Sequence, residues 1–245
     1  MLHASVRAVG VVAGGPDQIH LALGDALTDS GTLLMYVSCP RHFDEIGRGN
    51  LTADEEHELL EKLPAFDPDT ARAARDNGAL AEFFRTSPGT RVNQHVARFA
   101  ARGAHVAHLF SEQPWDYAFG HGSALERFLA LDGRILLLGC DHDNVTFLHY
   151  AEHVVDVPGK RIAQFKVPVL EDGRRVWRDM KEFDSADGAH AQWPAGTFAN
   201  IVTLFLTQGG IRGARVGDAE AYLLPARGLL DAAVGELRRL AARDT

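Results

Sequence analysis

The stretch Ile135-Leu-Leu-Leu-Gly139-Cys-Asp141-His-Asp-Asn-Val-Thr146-Phe-Leu-His149-Tyr-Ala-Glu152-His153 decides how this chain is read. Ile135 to Leu138 is a continuous apolar run of strand length, the pattern of a strand covered on both faces. A glycine ends it, and polar side chains then recur at helical spacing. Thr146, His149, Glu152 and His153 fall on one face of a helix that begins where the strand ends. Such junctions are where open α/β sheets place their ligands. Two chemistries fit these letters. His149-x-x-Glu152-His153 matches the inverted zincin pattern, which needs a third ligand such as Glu171 or Glu182. Thr146-x-x-His149-x-x-Glu152 instead describes an imidazole general base held by a carboxylate without metal.

Working outward, the same alternation of strands and helices recurs. Leu2-His-Ala-Ser-Val6 reads as the end of a strand running into the glycine-rich turn Gly10-Val-Val-Ala-Gly-Gly15. Its abrupt start suggests that an N-terminal helix and the first strand residues are absent. Pro16 suits the first turn of a helix over Asp17 to Leu27, and Gly31 to Val37 is a buried strand. Thr52-x-x-Glu55 and Ser123-x-x-Glu126 are capping boxes opening two further helices, the first running to about Leu63. A helix is expected over Ala71 to Phe84. Strands over Arg161 to Leu170 and Arg174 to Met180 flank the hairpin signal Glu171-Asp-Gly173. Helices near Phe198 to Thr207 and Ala226 to Ala242, with a strand over Ala219 to Leu224 between them, complete the pattern. The expected architecture is one three-layer α/β/α domain over residues 1–245 with a mixed central sheet.

Composition narrows the partners. At 245 residues, 46% hydrophobic and 24% charged, the chain suits one sizeable globular core. Its apolar runs are too short for a membrane span, and Met1-Leu-His-Ala-Ser5 carries no leader pattern. Two cysteines, Cys39 and Cys140, show no framework spacing, as expected of a cytoplasmic protein. A formal charge of −8 disfavours nucleic acid and favours a cationic small molecule through field steering. Monomer and homodimer are both compatible with the sequence.

Several smaller features carry chemistry. The glycine turn before the first helix can turn backbone N–H groups toward phosphate oxygens, although it lacks the G-x-G-x-x-G order and a Walker lysine. His3 and Ser5 alternate along the preceding strand and so share a face. Arg85 to His95 gathers two guanidinium groups, hydroxyls, an amide and an imidazole, consistent with either an anion site or a solvated loop. His20, His57, His105 and His108 read as packing or surface residues.

Taken in order, His3-Ala-Ser-Val-Arg-Ala-Val-Gly10, Gly14-Gly15, Gly31-Thr-Leu-Leu-Met35, Pro88-Gly-Thr-Arg91, His95, Gly122-Ser123, Leu131 to Gly139, Val145 to Glu152, Pro158-Gly-Lys-Arg161 and Val216-Gly-Asp-Ala219 resemble the aminoglycoside 3-N-acetyltransferase family. The Thr-x-Leu-His-x-Ala-Glu core after Leu-Leu-Leu-Gly is the specific part. The resemblance implies transfer of acetyl from acetyl-CoA to the 3-amino group of a 2-deoxystreptamine antibiotic, giving resistance, with coenzyme A and the antibiotic as partners and no metal. It implies His149 as general base and Glu152 as the carboxylate that orients and charges it. His3, Ala4, Ser5, Val6, Gly10, Arg91 and Thr146 would border the cofactor, while Glu182, Asp184 and Asp44 would meet the antibiotic's ammonium groups. The family usually has Arg-Ser-x-His-Pro where this chain has Arg91-Val-Asn-Gln-His95-Val, and Ser-Pro where it has Ser123-Ala124, leaving acceptor choice open. Rival readings are an acyltransferase of the same architecture acting on another amine, a zinc hydrolase, and a non-catalytic protein that sequesters acyl-CoA or antibiotic.

Overall fold

The computed structural model describes residues 1–38, 51–184 and 188–242. Cys39 and the Asp44-Glu45 loop lie outside the described residues. The chain alternates β1 (Leu2–Ala4), α1 (Val6–Val9), α2 (Asp17–Leu27), β2 (Thr32–Tyr36), α3 (Ala53–Lys62), α4 (Ala79–Thr86), β3 (Arg91–Val92), β4 (Phe99–Gly103), α5 (Val106–Leu109) and α6 (Ala124–Ala130). It continues with β5 (Arg134–Leu138), α7 (Leu148–Val154), β6 (Ile162–Glu171), β7 (Arg174–Phe183), α8 (Thr197–Gln208), β8 (Ala214–Val216), β9 (Ala219–Pro225) and α9 (Ala226–Ala241).

The apolar run at Ile135 is the inner strand of a mixed four-stranded sheet in the order β1-β5-β9-β8. β1 runs parallel to β5, with Leu2 opposite Leu136, and β9 runs antiparallel, with Leu138 opposite Ala221. A second ladder, β2-β4-β3, is antiparallel throughout. Both contribute to the same two cores because side chains alternate across a strand. Ile135 and Leu137 of β5 and Leu34 of β2 enter one core with Phe147, Leu148 and Ala151 near α7 and with Leu229 and Leu237 of α9. Leu138 of β5, with Leu33 and Met35 of β2, enters the opposite core with Ile19 of α2 and Leu80 and Phe84 of α4. Two apolar faces with helices on each make the expected three layers. A third, smaller core lies beneath the β6–β7 hairpin, around Phe66, Val167 and Met180.

Local chemistry explains where the elements depart from the sequence reading. The strand expected to reach Val6 stops at Ala4, because the Ser5 hydroxyl accepts the Ala8 N–H at 3.3 Å and opens α1. The helix expected from Ala71 is delayed to Ala79 by Gly78, whose φ of 79° lies outside the helical region. Thr52 and Glu55 form the reciprocal capping box, whereas at Ser123 only half of it forms: the Ser123 hydroxyl accepts the Glu126 N–H at 3.3 Å, while the Glu126 carboxylate accepts from the Gly122 N–H at 2.7 Å. Asp172 and Gly173, at φ 49° and 74°, make the two-residue turn that a tight hairpin favours. Pairing then runs to Ile162 opposite Phe183, three residues past the expected Met180, which places Glu182 inside β7.

Candidate active site

Gly139 lets the chain leave β5 sharply. Its φ is 63°, and a Cβ there would lie 2.7 Å from the Ala8 methyl and 2.8 Å from that of Ala219. Asp141 then accepts the Asp143 N–H at 2.9 Å, capping a 3-10 turn over His142–Asn144 before α7 begins at Leu148. Thr146 therefore precedes the helix rather than lying on it, although its carbonyl accepts the His149 N–H at 3.1 Å. Leu148, Tyr150 and Ala151 bury one face of α7, leaving His149 and Glu152 fixed in azimuth. At the far end, the Lys160 ammonium donates to the carbonyls of Glu152, His153 and Val155 at 3.0, 3.3 and 2.9 Å. A cation at a helix C-terminus satisfies orphan carbonyls and complements the dipole. Loss of solvent lowers the Lys160 pKa.

His149 Nδ1 lies 2.7 Å from Glu152 Oε2, with the carboxylate side chain 5% exposed and the imidazole 25% exposed. An ionised carboxylate only accepts, so Nδ1 carries a proton and Nε2 is left as the basic nitrogen. Burial opposes protonation of the ring. The Glu152 hydrogen bond and charge, with the charges of Glu182 and Asp143, outweigh it and hold the His149 pKa above that of ordinary imidazole. Phe119 and Phe198 pack the ring, each with its centroid 5.0 Å from that of His149.

Two cavities meet at this histidine. The first, of about 470 Å³, is lined by His3, Ala4, Ser5, Cys140, Asn144 and Thr146 together with Met35, Tyr36 and the Asp76-Asn77-Gly78 turn. The second, of about 420 Å³, is lined by Glu152, Gly188 and the run Trp193 to Phe198. His149 and Asp143 line both. Within the first cavity, burial, the neighbouring N-terminal charge and His149 push the His3 pKa down to about 3, so this ring is neutral at physiological pH. The Cys140 thiol donates to the His3 carbonyl at 3.3 Å, and burial raises its pKa, which disfavours the thiolate.

His3, Ala4, Ser5, Thr146, His149 and Glu152 thus gather as the sequence suggested. Other expected residues go elsewhere. Val6 and Gly10 are not part of the first cavity's lining, because Ser5 has already turned the chain into α1. Arg91 sits exposed in the two-residue edge strand β3, opposite Ala101, and borders a separate groove with Phe66 and Trp115. The Arg85 to His95 stretch is not one anion site. Arg85 is paired with Glu82 at 2.7 Å. His95 is buried, bonded to the Trp115 carbonyl and the Ala97 N–H, and desolvation pushes its pKa down to about 4.

The acidic pair on β7 also divides. Glu182 is buried and bonds His153 Nε2 through Oε1 at 2.5 Å, so it is not an open ammonium site. Asp184, one residue past β7, is half-buried with its N–H on the Arg161 carbonyl at 3.0 Å, and neither residue lines the second cavity. Arg178, a conceivable partner for either, pairs with Glu171 at 2.7 Å instead. Asp143 and Glu152 supply the carboxylates of that cavity. Sequence reading missed Asp143 as a second residue common to both cavities, although its place five residues past the end of β5 was the available signal. It also missed the Trp193 to Phe198 wall. The zincin pattern does not converge, since His153 faces the His149 carbonyl with Nδ1 and Glu182 with Nε2. Among the described residues, no three His, Cys, Asp or Glu side chains gather as a metal site, and no helix is long and apolar enough to cross a membrane.

An imidazole–carboxylate pair standing between two cavities, at the end of an inner strand in a mixed α/β sheet, is the arrangement of a two-substrate transferase. The sequence matches the aminoglycoside 3-N-acetyltransferase family over residues 1–238, and the chain belongs to that family of acyltransferases. Aminoglycoside N(3)-acetyltransferase III of Pseudomonas aeruginosa is 41% identical over 235 residues, covering 96% of this chain and 84% of that protein. Aminoglycoside N(3)-acetyltransferase VII of Streptomyces paromomycinus is 36% identical, covering 100% of this chain and 86% of its own. Among solved structures, AAC-IIIb in binary complex with CoASH superposes with a TM-score of 0.89 at 38% identity, over 98% of this chain and 89% of that one. AAC-VIa bound to sisomicin gives 0.90 at 33% identity, over 99% and 91%.

Proposed function

We propose that the protein transfers the acetyl group of acetyl-CoA directly to the 3-amino group of a 2-deoxystreptamine aminoglycoside, with His149 as general base. The observation that carries this reading is the position of His149, its Nδ1 bound to Glu152 and its ring lining both cavities. An aminoglycoside amine is mostly ammonium near neutrality and attacks a thioester only after losing a proton. Imidazole supplies a base of suitable strength, and Glu152 stabilises the imidazolium formed during attack. The new C–N bond forms as the thioester C–S bond breaks, and the proton held by His149 is then available to the departing thiolate.

Two cavities meeting at one base suit two substrates. A relative was solved with CoASH and another with sisomicin, which supports thioester in one cavity and antibiotic in the other. We assign the thioester to the first cavity, where the neutral His3 ring and the Ser5 turn border the reacting group. The second takes the polycation, with Asp143 and Glu152 offering negative charge. Neither described cysteine geometry nor the raised thiol pKa of Cys140 favours an acyl-enzyme, so transfer within a ternary complex fits best. Scoring an aminoglycoside panel for CoA release, with the acetylated nitrogen located by NMR, tests the reading. Release with 2-deoxystreptamine antibiotics and acetylation at N3 support it; no release with any of them refutes it.

A further inference from the structure

His153 and Glu182 form a second imidazole–carboxylate pair directly behind the first. We infer that this pair is a positioning clamp for His149, and not part of the antibiotic-binding surface; the inference rests on His149 being the base. The His153 ring spans two acceptors. Its Nδ1 is 2.7 Å from the His149 carbonyl, which requires a proton on Nδ1, and its Nε2 is 2.5 Å from Glu182 Oε1. A ring already protonated on Nδ1 meets a carboxylate at that distance only with a second proton between them. Charge-assisted bonds of this length are among the strong ones in proteins.

The surroundings make the bond consequential. The two side chains are 4% and 11% exposed, Glu182 Oε2 is buried without a hydrogen-bond partner among the described residues, and Oε1 also accepts the Phe183 N–H at 2.9 Å. A carboxylate so enclosed depends on its imidazole partner for compensation. Phe183 packs tilted against the His153 ring with centroids 4.7 Å apart, and Tyr117 and Phe119 meet it edge-to-face at 6.1 and 6.3 Å. Gly120 makes room for it, since a Cβ there would sit 2.8 Å from His153 Cδ2. The clamp therefore joins the backbone at His149, on α7, to strand β7 across the hairpin–helix boundary. It fixes the turn from which the base projects, while Glu152 fixes the ring itself.

Glu182→Gln keeps the shape and removes the shared proton. Misplacing a reacting group by a fraction of its reach costs up to about 100-fold, so kcat should fall roughly 10- to 100-fold while the aminoglycoside KM stays within about threefold of the parent value. A raised aminoglycoside KM with kcat retained would show that Glu182 meets the antibiotic and would overturn the clamp, as would kinetics unchanged in both parameters. A second measurement needs no variant to fold. In the intact protein labelled with ¹⁵N-histidine, the proton between His153 Nε2 and Glu182 should give a far-downfield resonance assigned to His153, and its absence overturns the inference. His149→Ala serves as the control that separates the two ideas. Full activity in that variant removes the base assignment, whereas the His153 resonance reports the clamp independently of turnover.

Discussion

Glu152→Gln isolates what the carboxylate contributes to His149. The amide keeps the volume and can still accept from Nδ1–H, so the ring stays oriented while the charge is lost. The bond concerned is 2.7 Å long and joins a 5%-exposed carboxylate to the imidazole. Solvent screening is therefore weak there. A hydrogen bond to a charged group contributes about 1.5 to 3 kcal/mol, and the imidazolium that needs it forms during attack. Each 1.36 kcal/mol is tenfold in rate, so the pH-independent kcat should fall between about 10- and 150-fold. The pH profile adds a second, signed readout. Glu152 raises the His149 pKa, and a base works when unprotonated, so in the parent enzyme kcat/KM climbs with pH through a pKa above the ordinary imidazole value. Without the carboxylate's charge that limb moves to lower pH. Steady-state CoA release from pH 5 to 9 on both proteins reads both effects. A plateau within twofold of the parent, or an acid limb that does not move down, refutes the assignment of Glu152 as the charged partner of the base.

Asp143→Asn removes the carboxylate shared by the two cavities, and the aminoglycoside KM should rise about tenfold, the lower end expected of a charge-assisted bond. The acetyl-CoA KM should stay near its parent value in the same steady-state experiment. Arg98 is wholly buried, donating to the carbonyls of Val37, Pro68 and Ala71 at 3.1, 2.5 and 2.6 Å. Arg98→Met leaves those acceptors without their donor at about 1 to 3 kcal/mol each, so urea denaturation should report a loss of at least about 3 kcal/mol.

How much was legible in the letters depended on whether a residue's role was local. The Ile135 strand, the helical spacing of His149 and Glu152, the Thr52 capping box and the Asp172-Gly173 turn are decided by neighbours in sequence, and each stands where it was expected. Glu182 shows the opposite case. The family resemblance paired it with Asp184 as a site for the antibiotic's ammonium groups, but its surroundings are set by His153, 29 residues earlier in the chain, and by burial between hairpin and helix. Arg91 stands apart from the first cavity for a similar reason, since nothing local says that β3 is an edge strand whose arginine borders another groove. The Trp193 to Phe198 wall of the second cavity comes from a loop whose approach to His149 is a tertiary fact. Periodicity and turn chemistry specify elements, whereas the partition of the two cavities depends on how those elements pack.

The account stands most directly on His149. Turnover of His149→Ala, measured as CoA release with a saturating aminoglycoside near pH 8, together with acetyl-CoA affinity by calorimetry, tests it in one pair of experiments. General-base catalysis contributes about 10²- to 10⁴-fold, so kcat should fall by that factor while the acetyl-CoA Kd changes little. Turnover within a few-fold of the parent protein would contradict the account.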